Sequence, residues 1–349
     1  MYRAKPRICS LFRPLQKVNR MYDVIIVGGG AAALSAAIYT FEKRLRVLVI
    51  YDVPGGKTGS SLIGHPEDHH SAARKFEQLG IGREWISSEV LPVGEHIMQC
   101  FQQELQVHQE SVVCDRVTHI TRMGDLFQVE THHHGMYQSI TLIIATGVTP
   151  RLLDVPGAQH FLDHGLSYSA TTHAARLVGQ TVAMVGTTMR TLRACTELAH
   201  IASHVYLIGT SLSRLSETLV TLLDQRPNVE ILEGWQVVEL RGGTSIEQIL
   251  IQRSSDEYRL LTVDAVFIDL GLKPNSEMVQ HMVQTDRSGF IWVNEQNATT
   301  QRGVFAAGDV TTAFSEQMLI AIGDGARAAL SAYDYLLAYA FAQTRVMTA

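Results

Sequence analysis

The sequence has only four cysteines, and their spacing excludes one kind of redox centre. They are Cys9, Cys100, Cys114 and Cys195, and no two of them have the Cys-x-x-Cys spacing. A dithiol of that kind, the usual pair for disulfide exchange within one chain, is therefore absent. Cysteine usage this sparse is typical of a reducing compartment without structural disulfides. We therefore expect a cytoplasmic protein.

A long hydrophobic run and a strong charge imbalance are also missing. The apolar stretch AALSAYDYLLAYAFA near the C-terminus carries Asp334 in its middle, so it predicts a packed helix rather than a membrane span. The formal net charge is −5, which gives no basic footprint for nucleic acid or for an anionic membrane. The chain has 349 residues, 46% of them hydrophobic and 18% charged, which is enough for two globular domains.

The first twenty residues differ from the rest of the chain. They include several arginines and lysines, no acidic residue and no apolar stretch long enough for a secretory signal. A targeting role is one interpretation. A disordered or misassigned extension is favoured, because Met21 stands directly before the first predicted strand, where a chain of this kind would begin.

Residues 22–52 have the pattern of a dinucleotide-binding strand, loop, helix and strand. An apolar run at 24–27 predicts a buried strand, three glycines at 28–30 predict a phosphate loop, and an apolar helix to about Phe41 leads to a second strand at 47–50. Small residues here let backbone amides approach a pyrophosphate and let the helix pack closely on the strand. About 20 residues past such a loop an acid usually binds the ribose, and Asp52 is the candidate. A helix that joins two strands without any ligand is the alternative.

Clustered histidines raise the question of a metal site. They are His65, His69 and His70, and a second group at 132–134. Because no partner set has a recognisable ligand spacing, solvated loop histidines are favoured and no metal is expected.

The second half of the chain repeats the plan of the first. A boundary is predicted near 150–157, followed by a strand at 181–185, a turn at Gly186, a helix at 192–201 and a strand at 205–208. Further strands are predicted near 112, 127, 140, 229, 249 and 263–268, with a last strand at 303–307 and a long helix from about Ser315. The fold class predicted is α/β, with two Rossmann-like three-layer dinucleotide-binding domains, the second inserted into the first.

Six motifs carry a family resemblance: GGGAAA at 28–33, PGGKT at 54–58, LIIATG at 142–147, GLSYSATT at 165–172, GLKPN at 271–275 and GVFAAGDV at 303–310. In this order and spacing, the chain after Met21 resembles the low-molecular-weight thioredoxin reductases, flavoproteins of the two-dinucleotide-domain disulfide reductase class. The resemblance implies a discontinuous FAD domain at 21–148 and 272–345, a smaller NADPH domain inserted at 149–271, and a homodimer.

The resemblance also implies which residues bind FAD. Asp309 matches the acid that bonds the ribityl chain, and Gln317 matches a residue that reaches the flavin, whereas Glu316 replaces the family's arginine beside it. The positions implied for FAD are Gly28, Gly29, Gly30, Ala31, Ala32, Asp52, Gly56, Lys57, Thr146, Gly147, Gly308, Asp309, Glu316 and Gln317.

The dithiol of the family is replaced in this chain. Where the family has SxCATCDG, Ser169 and Thr172 stand at both cysteine positions and His173 replaces the aspartate used as acid. Hydroxyl groups cannot carry out disulfide exchange, since that chemistry needs sulfur. If the family's geometry holds, Ser169, Thr172 and His173 face the flavin and are the candidate catalytic residues, with His173 as a proton donor. The alternative is that these three side chains only fill space and have no catalytic role.

The family's NADPH motif is also degraded. Its GxGxxA loop reads GTTMRT at 186–191, so that only Gly186 remains, with Thr188 where backbone must approach a pyrophosphate. The following strand ends in GTSL at 209–212, where the family has arginines for the 2′-phosphate. Arg190, Arg193 and Arg214 are possible substitutes at non-matching positions. FAD is therefore the expected cofactor, and the use of NADPH is doubtful.

Three functions remain open from the sequence. The favoured one is a FAD-dependent oxidoreductase whose flavin exchanges electrons with an external donor and acceptor, such as a ferredoxin-like carrier or a small thiol or disulfide. The second is an NAD(P)H-dependent flavin reductase, such as a ferredoxin-NADP reductase or a low-molecular-weight disulfide reductase, although these retain the second glycine motif. The third is a non-catalytic FAD-binding redox sensor or pseudoenzyme.

Overall fold

The structure is a computed structural model that describes residues 21–52, 103, 105, 107–162, 164–168, 177–312 and 317–347. Within these residues the chain forms two compact units. The first unit contains the described residues as far as Thr149 and again from Lys273 onward, and the second runs from Pro150 to Leu272. The predicted extension at 1–20 lies outside the described residues.

The described residues form both strands and helices, numbered in chain order. The strands are β1 (Met21–Val27), β2 (Val47–Tyr51), β3 (Val112–Cys114), β4 (Val117–Met123), β5 (Leu126–Thr131), β6 (Met136–Ile144), β7 (Val148–Pro150), β8 (Leu166–Ser167), β9 (Thr181–Gly186), β10 (His204–Gly209), β11 (Val229–Glu233), β12 (Gln236–Gly242), β13 (Ile246–Ser254), β14 (Glu257–Thr262), β15 (Ala265–Asp269), β16 (Leu272–Pro274) and β17 (Val304–Ala306). The α-helices are α1 (Ala31–Glu42), α2 (Ala158–Phe161), α3 (Met189–Leu198), α4 (Glu217–Asp224) and α5 (Met318–Met347).

The first unit is built on a seven-stranded sheet. Its order is β3-β2-β1-β6-β5-β4, and β17 also pairs with β6. The strands β1, β2, β3, β6 and β17 are parallel to their neighbours in that group, whereas β4 and β5 are antiparallel additions. Alternate residues of β1 enter different cores, since Val24 and Ile26 pack with α1 and α5 while Ile25 and Val27 pack on the opposite face. The continuous apolar run at 24–27 is therefore that of a strand buried on both faces.

The second unit repeats this architecture with a shorter sheet. Five parallel strands have the order β11-β10-β9-β15-β8. Residues of α3 and α4 cover one face, and the antiparallel sheet β12-β13-β14 supplies much of the core on the other. The short strands β7 and β16 pair with each other as a separate two-stranded sheet. These observations confirm the predicted α/β class with two Rossmann-like units.

Two details of the second unit were predicted wrongly. Helix α3 begins at Met189 rather than Leu192 and ends at Leu198 rather than Ile201. It begins early because Thr188 caps it with its side chain, a signal that the apolar periodicity does not contain. Strands β12 and β14 were also missed, and β14 is largely exposed, so its sequence shows little of the apolar alternation by which strands are found.

Candidate functional site

The glycine loop of the first unit lies between β1 and α1. Gly28 has a φ of 135°, a conformation that glycine adopts readily and other residues do not. Its N–H donates to the carbonyl oxygen of Ile50 at 2.8 Å, and a Cβ at Gly28 would lie 2.2 Å from the carbonyl oxygen of Ala145. The contact between β1 and the end of β6 therefore requires this glycine, whether or not a ligand is bound.

Gly30, two residues later, has open space around it within the described part of the chain. It is the N-cap residue of α1, and a Cβ added there would have no neighbour within 4 Å among the described residues. In that part of the chain no side chain caps this helix end, and its first turn contains no acidic residue. Uncapped N–H groups at the positive end of a helix dipole are suited to hold a phosphate.

Two glycines allow the C-terminal helix and the turn before it to pack directly on the start of α1. A Cβ at Gly325, on α5, would lie 2.1 Å from the carbonyl oxygen of Ala32, and a Cβ at Gly308 would lie 3.0 Å from the Cβ of Ala32. The hydroxyl of Ser35 donates to the carbonyl oxygen of Ile322 at 2.8 Å. The glycine loop at 28–30 is therefore positioned by tertiary packing as well as by its own sequence.

Other predicted FAD residues lie at the same edge of the sheet. Thr146 follows β6, and its hydroxyl donates to the carbonyl oxygen of Asn275 at 2.5 Å. Gly147, next in the chain, has a φ of 64°. Asp309 lies in the 3-10 turn that follows β17, the strand paired with β6. These residues and the glycine loop lie at the carboxyl ends of the parallel strands of one sheet, where nucleotides bind in folds of this kind.

Asp52 directly follows β2, and an arginine that sequence reasoning missed is paired with it. Arg116 places Nη2 at 2.5 Å and Nε at 3.0 Å from Oδ2 of Asp52, and both side chains are exposed. The role of Asp52 as a ribose ligand stays a prediction. Gln317 is an exposed residue directly before α5. The remaining predicted positions lie outside the described residues: Gly56, Lys57, Ser169, Thr172, His173 and Glu316.

The loop of the second unit is capped by its own side chains. Thr188 is the N-cap residue of α3, and its hydroxyl accepts a hydrogen bond from the N–H of Thr191, while the Thr191 hydroxyl accepts one from the N–H of Thr188. This reciprocal capping box satisfies helix N–H groups that a bound phosphate would otherwise meet. Thr191 itself is fully buried between helix and strand.

A carboxylate is bound at this same helix end. Asp269, the last residue of β15, accepts a hydrogen bond from Thr188 Oγ1 at 2.5 Å and is ion-paired with Arg190, whose Nη2 lies 2.6 Å from Oδ1 and whose Nε lies 3.2 Å from Oδ2. Burial works against charge on Asp269, but the hydrogen bonds from Arg190 and Thr188 outweigh it and lower the pKa of this carboxyl. Asp269 therefore carries a negative charge at neutral pH.

The loop after β10 also faces an acid. Ser213 donates to Oε1 of Glu233 through its N–H at 3.1 Å and its hydroxyl at 2.8 Å. These bonds, together with the nearby charge of Arg214, lower the pKa of Glu233. Of the three arginines considered as 2′-phosphate ligands, Arg190 is thus engaged by Asp269, and Arg214 lies near Glu233.

The two cysteines in the described part of the chain differ in state. Cys114, at the end of β3, is disulfide-bonded. The prediction that the chain has no disulfide is therefore wrong for this residue. Cys195 is free and buried within α3, and burial raises the pKa of its thiol to about 12, so it is not a nucleophile.

A buried acid organises the histidine-rich turn after β5. Asp115, whose side chain is 1% exposed, accepts the N–H groups of His133 and His134 at 2.8 Å each, and their Nδ1 atoms lie 3.1 and 3.0 Å from its oxygens. Burial would raise the pKa of Asp115, but these backbone hydrogen bonds lower it well below its ordinary value. No cluster of His, Cys, Asp and Glu in the described ranges has an arrangement that would hold a metal ion. The predicted solvated histidines are, at 133 and 134, anchored on this acid.

We predict that Asp115→Ala lowers the free energy of unfolding by about 2 to 4 kcal/mol, because several donors lose a buried acceptor. The wild-type advantage should be complete above the ordinary carboxyl pKa and should decline as the pH falls toward the lower folded-state pKa. Urea denaturation at neutral and acid pH measures both effects. Asp125→Ala, at an exposed turn of the same unit, is the matched control. Equal stabilities of the two variants would contradict the prediction.

Comparison with known proteins places this architecture in a family. The model of the pyridine nucleotide-disulphide oxidoreductase family matches residues 22–328. The chain belongs to this family. Two curated relatives are a subunit of the alkyl hydroperoxide reductase of Staphylococcus epidermidis, 30% identical over 319 residues, and the NADH dehydrogenase of Bacillus subtilis, 30% identical over 318 residues. Each alignment covers 90% of this chain, which spans only 59% of the length of each relative.

Solved structures show the same resemblance. The thioredoxin reductase of Streptococcus pyogenes is 26% identical with a TM-score of 0.72, and the alignment covers 92% of this chain and 100% of that one. The thioredoxin reductase of T. acidophilum is also 26% identical, with a TM-score of 0.59, over 90% of this chain and 98% of that one. The thioredoxin reductase-like resemblance inferred from the motifs is confirmed. None of the described helices is long and apolar enough to cross a membrane.

Sequence reasoning missed Asp269, although a signal for it was present. The motif LIIATG at 142–147 has a counterpart, VFIDLG, at 266–271. When the two motifs are aligned, Asp269 takes the place of Ala145. Arg116 and Gly325 left no comparable signal, because their partners are distant in the sequence.

Proposed function

We propose that this protein is a FAD-dependent oxidoreductase of thioredoxin-reductase type that has no dithiol of its own and does not take electrons efficiently from NADPH. Its first unit binds FAD, and its second unit does not accept the usual nucleotide. The flavin then exchanges electrons with an external donor and acceptor, such as a ferredoxin-like carrier or a small thiol or disulfide. We propose a homodimer as its assembly.

One contrast within the chain carries this proposal. Among the described residues, the N-cap residue of α1, Gly30, has no side-chain cap and no neighbour at its ideal Cβ, whereas the N-cap residue of α3, Thr188, forms a hydroxyl capping box beside a charged carboxylate. An anion is favoured at the first helix end and disfavoured at the second. The same architecture thus supports a dinucleotide in one unit and opposes it in the other.

The chain's own residues fit FAD at the first unit. The loop at 28–30 and the start of α1 would hold the pyrophosphate, Thr146 and Gly147 would lie beside it, and Asp309 would bond the ribityl chain. Bound FAD supplies the two-electron redox chemistry. Ser169, Thr172 and His173 are proposed to face the reacting ring, with His173 holding a proton near neutral pH.

A second candidate function is an NADH-dependent flavin reductase. It is favoured by one observation, the 30% identity with a relative named NADH dehydrogenase. The absence of arginines at 209–212 argues against a 2′-phosphate and is neutral toward NADH. A non-catalytic flavoprotein is the third outcome to be tested.

The experiment is an anaerobic visible spectrum of the purified protein, recorded before and after adding excess NADPH, then NADH, then dithionite. We expect a flavin absorption that bleaches only with dithionite. Rapid bleaching by NADPH would contradict the proposal, and rapid bleaching by NADH alone would establish the second candidate. A purified protein without flavin would exclude FAD as its cofactor. A flavoprotein that exchanges electrons with none of the carriers tried would correspond to the third, non-catalytic candidate.

A further inference from the structure

Each unit has one pair of residues at an equivalent position beside its glycine loop. In the first unit β1 pairs with β6, and Val27 is opposite Ile144. In the second unit β9 pairs with β15, and Val185 is opposite Ile268. The next residues along are therefore Gly28 with Ala145 and Gly186 with Asp269. The close approach is also the same, because a Cβ at Gly28 would lie 2.2 Å from the Ala145 carbonyl oxygen and a Cβ at Gly186 would lie 2.3 Å from that of Asp269.

This position is the crevice in which such folds bind their ligand. In the second unit the strand order is β11-β10-β9-β15. The chain therefore adds β10 and β11 on one side of β9 and later adds β15 on the other side, so the strand order reverses between β9 and β15. Ligands of open parallel sheets bind outside the carboxyl ends of the strands at this reversal. Asp269 is the last residue of β15, so its carboxylate stands at the reversal itself.

A second substitution accompanies the first. Each helix begins three residues after the first loop glycine, so that Arg190 in α3 has the place of Ala32 in α1. The first unit thus has two alanines, Ala32 and Ala145, where the second has the ion pair of Arg190 and Asp269. The Asp269 side chain is 11% exposed and is bonded to Arg190, to the Thr188 hydroxyl and, at 3.3 Å, to the N–H of Gly271.

We propose that Asp269 is the specificity-determining residue of the second unit. Its carboxylate occupies the position of a dinucleotide phosphate, uses the donors that would bind that phosphate, and so excludes NADH and NADPH alike. This inference rests on the proposed function and explains why the second unit does not bind NADPH. The exclusion is electrostatic, because a second anion beside a partly buried carboxylate meets an unfavourable charge and finds Arg190 and Thr188 already engaged.

The test replaces Asp269 with the residue of the first unit and measures ADP binding to the FAD-loaded protein by calorimetry at low salt. ADP is the probe because NADH and NADPH share its adenosine diphosphate. We expect Asp269→Ala to bind ADP at least ten-fold more tightly than the wild type, since Arg190 is released. The gain should weaken in high salt and should disappear in the double variant Asp269→Ala with Arg190→Ala. Asp256→Ala, at an exposed turn of the same unit, is the control for net charge.

Affinity of Asp269→Ala within two-fold of the wild type, or an equal gain in Asp256→Ala, would overturn the inference. Should Asp269→Ala fail to fold, Asp269→Asn keeps the side-chain volume and the acceptor for Thr188 and is held to the same criterion. The proposed function fails separately, when NADPH bleaches the flavin of the wild-type protein. If the variant's affinity for ADP is unchanged and NADPH does not bleach the flavin of the wild-type protein, the proposed function stands and the role of Asp269 is refuted.

The reciprocal change gives a readout at the first unit. Ala145→Asp introduces the same carboxylate beside the first loop and should reduce the flavin bound per protein at least ten-fold, compared with Ala145→Asn, which has nearly the same shape and no charge. The ratio of flavin absorbance to protein absorbance after purification measures this. Equal flavin content in the two variants would overturn the inference.

Discussion

Gly28→Ala is expected to destabilise the first unit strongly, whereas Gly30→Ala is expected to leave the fold intact and to weaken FAD binding. The two glycines are two residues apart in one loop, yet their surroundings differ. A methyl group at Gly28 would lie 2.2 Å from a backbone oxygen, and its φ of 135° is unfavourable for alanine. A methyl group at Gly30 would meet nothing within 4 Å in the described part of the molecule, and its φ of −88° suits any residue.

The sizes of the two effects follow from these surroundings. Strain and a backbone collision at Gly28 should cost about 3 kcal/mol or more, a large part of the stability of a typical domain. At Gly30 the methyl group would stand where amides meet the pyrophosphate, and losing one or two charge-assisted hydrogen bonds corresponds to roughly a 10- to 100-fold loss of affinity or more.

Thermal melting of the flavin-free proteins and fluorescence titration with FAD measure these effects separately. Gly243→Ala serves as a control, because that glycine is exposed in the second unit, has no positive φ, and has its nearest described atom 3.6 Å from an ideal Cβ. A Gly30→Ala protein that binds FAD like the wild type would show that the loop does not hold the pyrophosphate. A Gly28→Ala protein with unchanged melting would contradict the close approach of β1 to the end of β6.

Gly325→Ala is the second large effect, and it acts through helix packing. The new methyl group would lie 2.1 Å from the carbonyl oxygen of Ala32, so α5 must move away from α1. That interface is lined with small buried residues on both helices, among them Ala36 and Ala328, which lose contact when the helices separate. We expect a loss of about 3 kcal/mol in the free energy of unfolding, and weaker FAD binding because the start of α1 shifts.

Gly323→Ala is the matched control on the same helix. Gly323 is exposed and has no neighbour within 4 Å of its ideal Cβ among the described residues, so alanine there should stabilise α5 by about 0.5 to 1 kcal/mol. The two variants therefore carry the same substitution with opposite expected signs. Urea denaturation measures the change in stability, and flavin content measures the change in FAD binding. A Gly325→Ala protein as stable as Gly323→Ala would refute the packing argument.

Much of the architecture could be predicted from local patterns. The run at 24–27 and the glycines that follow it predicted β1, the loop and α1, because strand burial, glycine conformation and helix periodicity are properties of neighbouring residues. The motif order predicted a thioredoxin reductase-like chain, and the match to the pyridine nucleotide-disulphide oxidoreductase family confirms that resemblance. The start of α3 was misjudged, because a threonine cap is a polar signal that an apolar pattern does not register.

The sequence by itself determined that the chain has no Cys-x-x-Cys pair, that it has two loop-and-helix units, and that the second loop keeps only its first glycine. Only the tertiary structure decided which side chains meet beside that loop. Arg190 and Asp269 are 79 residues apart and meet because β9 and β15 are neighbours in the sheet. Asp52 meets Arg116 across 64 residues in the same way. Strand adjacency is set by packing of the whole unit, so local sequence does not reveal that one helix end is open to an anion and the other already holds one.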